Sequence, residues 1–543
     1  MAAAASSLSL VPTEGASLAD IDTLLTEQLG CGRVAAGRLA RAFYDTFDHR
    51  LHRAGLVLEH EWLDGRRWLR LRRADQSTAV VQAACDRVPH RVSELADRRL
   101  RDELDGPCGE RALLPVVVTD GEQYRYARTD ELDKTIVRIS VVTSVAVAVD
   151  RFAPPPDPGG TPADVGRARH VLDPVITLVA VRGHQRDFDA LCAAVAARLG
   201  ERVALDPLHR AAGAAGIALG EDPSDRAVAV RGDEPAAELA GALLRRAAEV
   251  LAANVAGIEG AVDDEFLHEF RVTLRATRAL VRAGEGVLHP EDRAELLARL
   301  RSLMDRTSPL RDLDVLRARW PGEPEGPALT VALEALAPAY DADRAALLEV
   351  LRSPDFDELL RRLGEARPAP AAPGTAPLCS ADWAAAVLPA ELRRLRRRAR
   401  RAGAAGTDAV AADTAELLHR ARKQAKRLRY LLDVFGPLYG ARAKRFRRAL
   451  KDVQQQLGHF QDDCVALDAL ERAATGLDGA DTAVLLALGR RSEQLRTARA
   501  AAVAEAVAMF APLEAHHRRF ARLLAMPTTE ATEATEASGG DPP

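Results

Sequence analysis

The chain has 543 residues with 75 Lys and Arg against 79 Asp and Glu, a net charge of −4 that excludes a general polyanion sponge. Its length suffices for roughly three or four domain-sized units with sizeable cores, and no apolar run approaches the ~20 residues of a membrane span, so no membrane partner is expected. Six scattered cysteines, with no C-x-x-C pair and no ligand spacing to His, exclude a disulfide framework and a zinc site. The start, MAAAASSLSLVPTEG, lacks the basic segment of a signal peptide, and a cytoplasmic location is expected. Charge is unevenly spread: residues 419–451 hold twelve Arg or Lys and one acid, Asp433. Four of the five lysines (Lys423, Lys426, Lys444, Lys451) fall in that segment, a clustering that an arginine-rich composition does not explain.

Residues 1–17 are small and polar and predict a disordered start. From 18 to 200 strands dominate. Segments 56–63 and 68–72 flank Asp64-Gly65, a hairpin signal. Segments 116–118 and 123–127 flank a second Asp-Gly at 120–121, which predicts a second turn. Segments 136–149 and 175–181 are rich in β-branched residues. Short turns between strands predict an antiparallel barrel or sandwich, and 151–166, rich in proline, predicts a loop.

FYDTFDHRLHRAGL, residues 43–56, resembles the CYTH family, and the resemblance extends over about 18–200. It implies an eight-stranded tunnel that binds triphosphate with divalent metal. Two departures stand out. Residues 1–40 contain no Glu-x-Glu-x-Lys strand, and VITLVAV at 175–181 offers no carboxylate. A metal clamp needs several converging carboxylates. Glu59, Glu61 and Asp64 around one hairpin are the available ones, and Arg70, Arg72, Lys134 and Arg138 are candidates for a positive tunnel. A degenerate CYTH-like β domain without metal chemistry is expected.

Residues 201–233, rich in Ala, Gly, Asp and Pro, read as a linker. Helices follow at 235–256, 264–283, 291–304, 328–351 and 356–365. A Pro/Ala/Gly segment, 366–377, divides the helical region. The next helix, 383–401, carries seven Arg in its last nine residues. Another spans 414–435 and stops at Gly436-Pro437. Helix 441–458 places Lys444, Arg448 and Lys451 at i, i+4 and i+7. A last helix runs over 481–524, and the acidic low-complexity tail 526–543 has too little apolar content to fold.

Two of these helices repeat one pattern. Aligning His268 with His419 places Arg271 on Arg422, Arg275 on Lys426 and Arg278 on Arg429. Offsets of 0, 3, 7 and 10 lie within about 80° of a helix circumference. Each copy is therefore a stripe of one His and three cations beside an apolar flank: Phe270, Leu274 and Val281 in one, Ala421, Ala425 and Leu432 in the other. The echo continues in PLRDLDVL and HFQDDCVAL, where Asp312 follows His268 by 44 residues and Asp462 follows His419 by 43. Nearly equal internal spacing indicates a duplicated helical unit.

These residues resemble the CHAD family, the conserved-histidine α-helical domain, over about 234–525. The resemblance implies two pseudo-symmetric helical bundles enclosing a basic channel that binds inorganic polyphosphate. The expected fold class is thus α+β and multidomain: an antiparallel β barrel or tunnel, then an all-α duplicated bundle. The cations and histidines assigned to the channel are His268, Arg271, Arg275, Arg278, Arg301, Arg393, Arg397, Arg400, His419, Arg422, Lys423, Lys426, Arg429, Lys444, Arg448 and Lys451. Rows of cations held together by one core repel, so an anionic ligand is the natural compensation. Arginine suits phosphate because its planar fork donates paired, charge-assisted hydrogen bonds. Asp312, Asp314, Asp462 and Asp463 are candidates for orienting the arginines.

No catalytic residue, metal or cofactor is called for. The expected partner is inorganic polyphosphate, with recruitment to polyphosphate granules. Two other readings are a metal-dependent triphosphatase acting through the β domain and a nucleic-acid-binding helical protein. Nucleic acid is disfavoured, because single-strand binders add aromatic stacking platforms, aromatics are only 4% here, and Tyr430 alone lies on the signature stripes.

Overall fold

The computed structural model describes residues 6–508, except 14–15, 77–78, 154–167, 201, 204–205, 371–375, 405–411, 478 and 480. The expected loop from 154 on, the middle of the dividing segment, the last helix beyond Ala508 and the acidic tail 526–543 lie outside the described residues. Two compact units result, one within residues 1–223 with 260–263, the other from 224 on.

The first unit is built on nine antiparallel strands: β1 (Ser7–Val11), β2 (Gly32–Asp45), β3 (Leu56–Leu63), β4 (Arg66–Arg73), β5 (Ala79–Ala84), β6 (Leu114–Thr129), β7 (Thr135–Ala148), β8 (Arg169–Ala180) and β9 (Arg202–Val203). Their order is β5-β4-β3-β2-β6-β7-β8-β1-β9. The expected barrel is corrected to an open sheet. Closure would need β5 to pair with β9, and β9 offers two residues among those described. Among the described residues, five α-helices flank the sheet: α1 (Leu18–Thr23), α2 (Arg50–Arg53), α3 (Arg98–Cys108), α4 (Gln185–Leu199) and α5 (Pro207–Ala214). Leu58, Leu69 and Leu71 pack with Leu100 and Leu104 of α3. Ile139, Val141 and Leu178 pack with Phe188 and Val195 of α4.

Three expectations change here. Residues 7–11, expected to be disordered, form β1, because Leu8 and Leu10 alternate with serines and pair with Leu178 and Ile176 far along the chain. Part of the expected linker is ordered structure. β9 pairs with β1, and α5, capped by Asp206 accepting from the Leu208 amide at 2.8 Å, buries Leu208 and Ala211 against Phe43 and Val117. Third, the two Asp-Gly pairs differ. Asp64 and Gly65 have φ of 50° and 80° and turn the β3–β4 hairpin. Asp120 and Gly121 lie inside the unbroken β6, where Asp120 accepts from Arg38 at 2.9 Å. A Cβ on Gly121 would collide with the Thr143 carbonyl, so this glycine serves close strand approach rather than a turn.

The second unit is helical: α6 (Ala236–Glu259), α7 (Asp264–Ala283), α8 (Pro290–Arg319), α9 (Gly326–Leu351), α10 (Pro354–Gly364), α11 (Ser380–Ala404), α12 (Ala412–Phe435), α13 (Ala441–Ala474) and α14 (Thr482–Ala508). α8 and α13 run well past their expected ends at 304 and 458, α8 through Pro309. Both Asp-containing segments are therefore helical. The signature helices α7 and α12 pack against each other, and α8 packs against α7 and α13. The apolar flanks read from sequence are the buried ones: Phe270, Leu274, Val281, Ala421, Ala425 and Leu432 all sit in the core. No helix among the described residues is long and apolar enough to cross a membrane.

Candidate functional site

Burying those flanks turns the cationic stripes of α7 and α12 toward a shared cavity of about 740 Å³, completed by α8, α11 and α13. That is an ordinary size for a ligand cleft. The repeat register survives in space. His268 and His419, Arg271 and Arg422, Arg275 and Lys426, Asp312 and Asp462, and Val315 and Val465 all line it as equivalent pairs. Eleven arginine and lysine side chains face three aspartates there. Arg275, Arg278, Arg282, Arg422, Lys423 and Lys426 make no ion pair with a carboxylate among the described residues.

The deep cations are held by uncharged partners. Arg271 donates to the Thr307 hydroxyl at 2.8 Å and to Ser308 at 3.2 Å. Arg275 Nε donates to the Tyr430 hydroxyl at 2.9 Å. The Nε groups of Arg271, Arg278 and Arg422 are buried without an acceptor. A buried donor left unpaired is costly, which makes these donors a standing demand for an anion. Arg427 differs, since it donates at 2.9 Å to buried Glu391, which Arg394 and Gln424 also engage.

Protonation follows from this crowding. Burial, with the Arg311, Arg275, Lys426 and Arg271 charges, pushes His268 down to about 4. Burial and then Arg422, Arg275 and Arg429 push the Lys426 ammonium down to about 7. Burial also lowers His419, although its hydrogen bond with Gln461 works the other way. Burial raises Asp312 in spite of Arg271 and Arg422. Low dielectric explains each direction: it disfavours whichever form is charged.

Of the residues assigned from sequence, His268, Arg271, Arg275, Arg278, His419, Arg422, Lys423 and Lys426 line the cavity. The others do not. Arg301 is exposed and 3.7 Å from Asp305. Arg393, Arg397 and Arg400 on α11 and Lys444, Arg448 and Lys451 on α13 are exposed outside the lining. Arg429 lies over the Tyr430 ring, 5.1 Å from its centroid. Helical spacing groups these residues on a face but does not say what that face meets. Of the aspartates expected to orient arginines, Asp314 instead accepts from the Tyr340 hydroxyl at 2.9 Å, and Asp463 is 3.9 Å from Arg319. Sequence reasoning missed Arg282, Arg311, Arg319, Arg398 and Arg427 in the lining. Arg282 was findable, because its offset of 14 from His268 falls within the arc of the stripe. Arg311 stands directly before Asp312 in the repeated segment.

The candidate metal ligands of the first unit do not fit a metal. Arg41 holds Glu61 at 2.8 Å, and Arg70 reaches Glu61 at 3.2 Å and Glu59 at 3.3 Å. Arg72 lies 3.7 Å from Glu59 and also binds Asp206. Burial would raise the Glu61 carboxyl, but Arg41 and Arg70 hold it below its ordinary value. Three arginines thus occupy the acceptors that a divalent ion would need. Asp64 pairs with Arg125 at the exposed turn, and Lys134 and Arg138 point outward. No group of three or more His, Cys, Asp or Glu suited to a metal ion occurs among the described residues.

Comparison with known proteins agrees with the helical reading. The family model of the CHAD domain matches residues 242–471. Among solved structures, the chain is similar to the CHAD domain from the plant Ricinus communis, at 26% identity, covering 53% of this chain and 95% of that one with a TM-score of 0.44. It is also similar to PptA from Streptomyces chartreusis, at 18% identity over 52% of this chain and 100% of that one, TM-score 0.34. A third, the PH1819 protein from Pyrococcus horikoshii OT3, shares 10% identity over 36% of this chain and 92% of its own, TM-score 0.21. No curated protein matches the chain. The residues that match the CHAD-domain model, 242–471, include both His-plus-cation helices that meet at the basic cavity.

Proposed function

We propose that the chain binds inorganic polyphosphate in the cavity between α7 and α12, as a non-catalytic module that brings the protein to polyphosphate granules in the cytoplasm. The observation that carries this reading is the excess of cations: eleven line the cavity against three aspartates, six of them make no ion pair with a carboxylate among the described residues, and several have buried donors with no acceptor there. Folding gains nothing from such repulsion, and a chain of phosphates satisfies both the charge and the donors.

The cavity favours phosphate over nucleic acid. Among the described residues, Tyr430 is the only Phe, Tyr or Trp in the lining, and it is buried with Arg429 over its ring, leaving no open platform for a base. A non-catalytic role is supported by the first unit, where arginines occupy Glu59 and Glu61.

The test is competition on the full chain at fixed salt, with labelled long-chain polyphosphate against tripolyphosphate, RNA and heparin. Unlabelled polyphosphate should displace the label far below the concentration at which RNA does. Equal displacement by all polyanions would overturn the reading. Phosphate release from tripolyphosphate, with and without divalent metal, is measured alongside, and metal-dependent release would restore the triphosphatase alternative.

A further inference from the structure

The internal duplication is broken at several cavity positions, and at one of them the side chain bridges the two repeats. Tyr430 follows His419 by eleven residues, and the residue eleven after His268 is Ala279. Both line the cavity, but only the tyrosine reaches across to the other repeat, where it accepts from Arg275 Nε at 2.9 Å. Its ring simultaneously lies under Arg429, 5.1 Å away. One buried tyrosine therefore holds two guanidinium groups, one end-on and one face-on.

Resting on the polyphosphate reading, we infer that Tyr430 is a positioning residue: it fixes Arg275 toward the ligand without cancelling its charge. Arg275 needs such a partner. Its charge weighs on His268, Arg271, Arg422 and Lys426 around the cavity. Left to itself, a flexible guanidinium in that company would swing away toward solvent. A carboxylate would hold it, as Glu391 holds Arg427, but would remove the positive charge that a phosphate requires. A phenol hydroxyl accepts the Nε–H and leaves the full charge and the two terminal nitrogens for a ligand. The same logic governs Arg271, held by the hydroxyls of Thr307 and Ser308. In the first repeat Ala279 carries no such group.

The experiment measures affinity of the full chain for labelled long-chain polyphosphate in wild type, Y430F, R275A and the double variant, with the thermal midpoint of each and the salt dependence of binding. Y430F keeps the ring under Arg429 and loses only the hydroxyl. It should weaken binding about tenfold, the scale of one charge-assisted hydrogen bond, with the midpoint held. R275A should weaken binding at least as much and flatten the slope of log K against log[salt] by about 0.7. The double variant should bind within about twofold of R275A, because both changes remove one contact. If Y430F lowers the midpoint, the comparison moves to R275K, which keeps the charge but lacks Nε. There the added Y430F change should cost no further affinity. Wild-type affinity in Y430F, or losses that multiply in the double variant, would overturn the role of Tyr430. Absence of polyphosphate binding by the wild type would instead overturn the reading of the cavity.

Discussion

Lys426 stands beside Arg275, its counterpart in the other repeat, and neither makes an ion pair with a carboxylate among the described residues. Burial and the neighbouring guanidinium groups hold Lys426 at about 7 instead of 10.5 and His268 at about 4 instead of 6.5. A polyanion reverses the pressure and favours the charged forms. Affinity for long-chain polyphosphate should therefore rise as pH falls from 9 to 5, about an order of magnitude for each group that charges on binding. K426R, charged throughout, should flatten the part of the profile above pH 7, and H268N the part below it. Isothermal titration across that range is the check. A profile with the opposite slope would rule out cationic recognition.

Linkage gives the ligand-free protein the converse dependence. For His268 the folded value lies below the unfolded one, so the unfolded state holds more protons between pH 6.5 and about 4. Stability is lost over that window as pH falls. Asp314, held up to about 6 mainly by burial, works in the opposite direction between 6 and 3.8. Comparing wild type with H268N isolates the histidine. The wild type should lose thermal midpoint relative to H268N below pH 6.5, and saturating polyphosphate should abolish the difference.

Changing Arg422, Lys426 and Arg429 together to Ala should weaken polyphosphate binding by about a hundredfold, on the order of 1–2 kcal/mol for each of Arg422 and Lys426, the two that line the cavity. The unliganded thermal midpoint should be kept or raised, since unpaired buried charge is removed and Ala is a strong helix former. Leu428 and Leu432, fully within the core, behave conversely: each change to Ala should cost about 2–5 kcal/mol in denaturant unfolding.

Salt separates the cavity from the exposed cation rows. Six to ten phosphate contacts predict a slope of log K against log[salt] of about −4 to −7. R422A should flatten it by about 0.7. R393A, R397A, K444A and K451A, outside the lining, should each change affinity less than about twofold, as solvated surface charges do. Binding that vanishes with chelator and has a slope shallower than about −2 would point to a metal-centred site.

In the first unit, D206A removes one carboxylate from a buried network and leaves Arg72 with Glu59 at 3.7 Å. Breaking a buried pair on one side costs roughly 3–5 kcal/mol. Urea unfolding followed by tryptophan fluorescence should show that loss, and D206N should restore part of it through the Leu208 cap.

What could be read from the sequence depended on whether the signal was local. The two stripes were visible because helical periodicity is local, and the repeat placed His268, Arg271 and Arg275 opposite His419, Arg422 and Lys426 before any packing was known. Arg427 and Arg398 were out of reach, because their place depends on how α11 meets α12. Arg393 and Lys444 were misplaced for the same reason. Asp-Gly behaves likewise. At 64–65 the backbone needs positive φ, and at 121 a neighbouring strand needs the missing side chain. The dipeptide alone does not distinguish the two. Strand β1 was hidden because its hydrogen-bonding partners lie some 170 residues away.

The paired lining of the cavity has a consequence for direction. A nucleic-acid strand has distinct ends, and a site that grips it must commit to one orientation. An unbranched chain of phosphates reads the same both ways. On the polyphosphate reading, the counterparts His268 and His419, Arg271 and Arg422, Arg275 and Lys426, and Asp312 and Asp462 would present matching groups to either end of such a chain. On that reading, both orientations of encounter should be productive. Tyr430 against Ala279, Gln461 against Arg311 and Lys423 against Val272 are among the places where that equivalence ends.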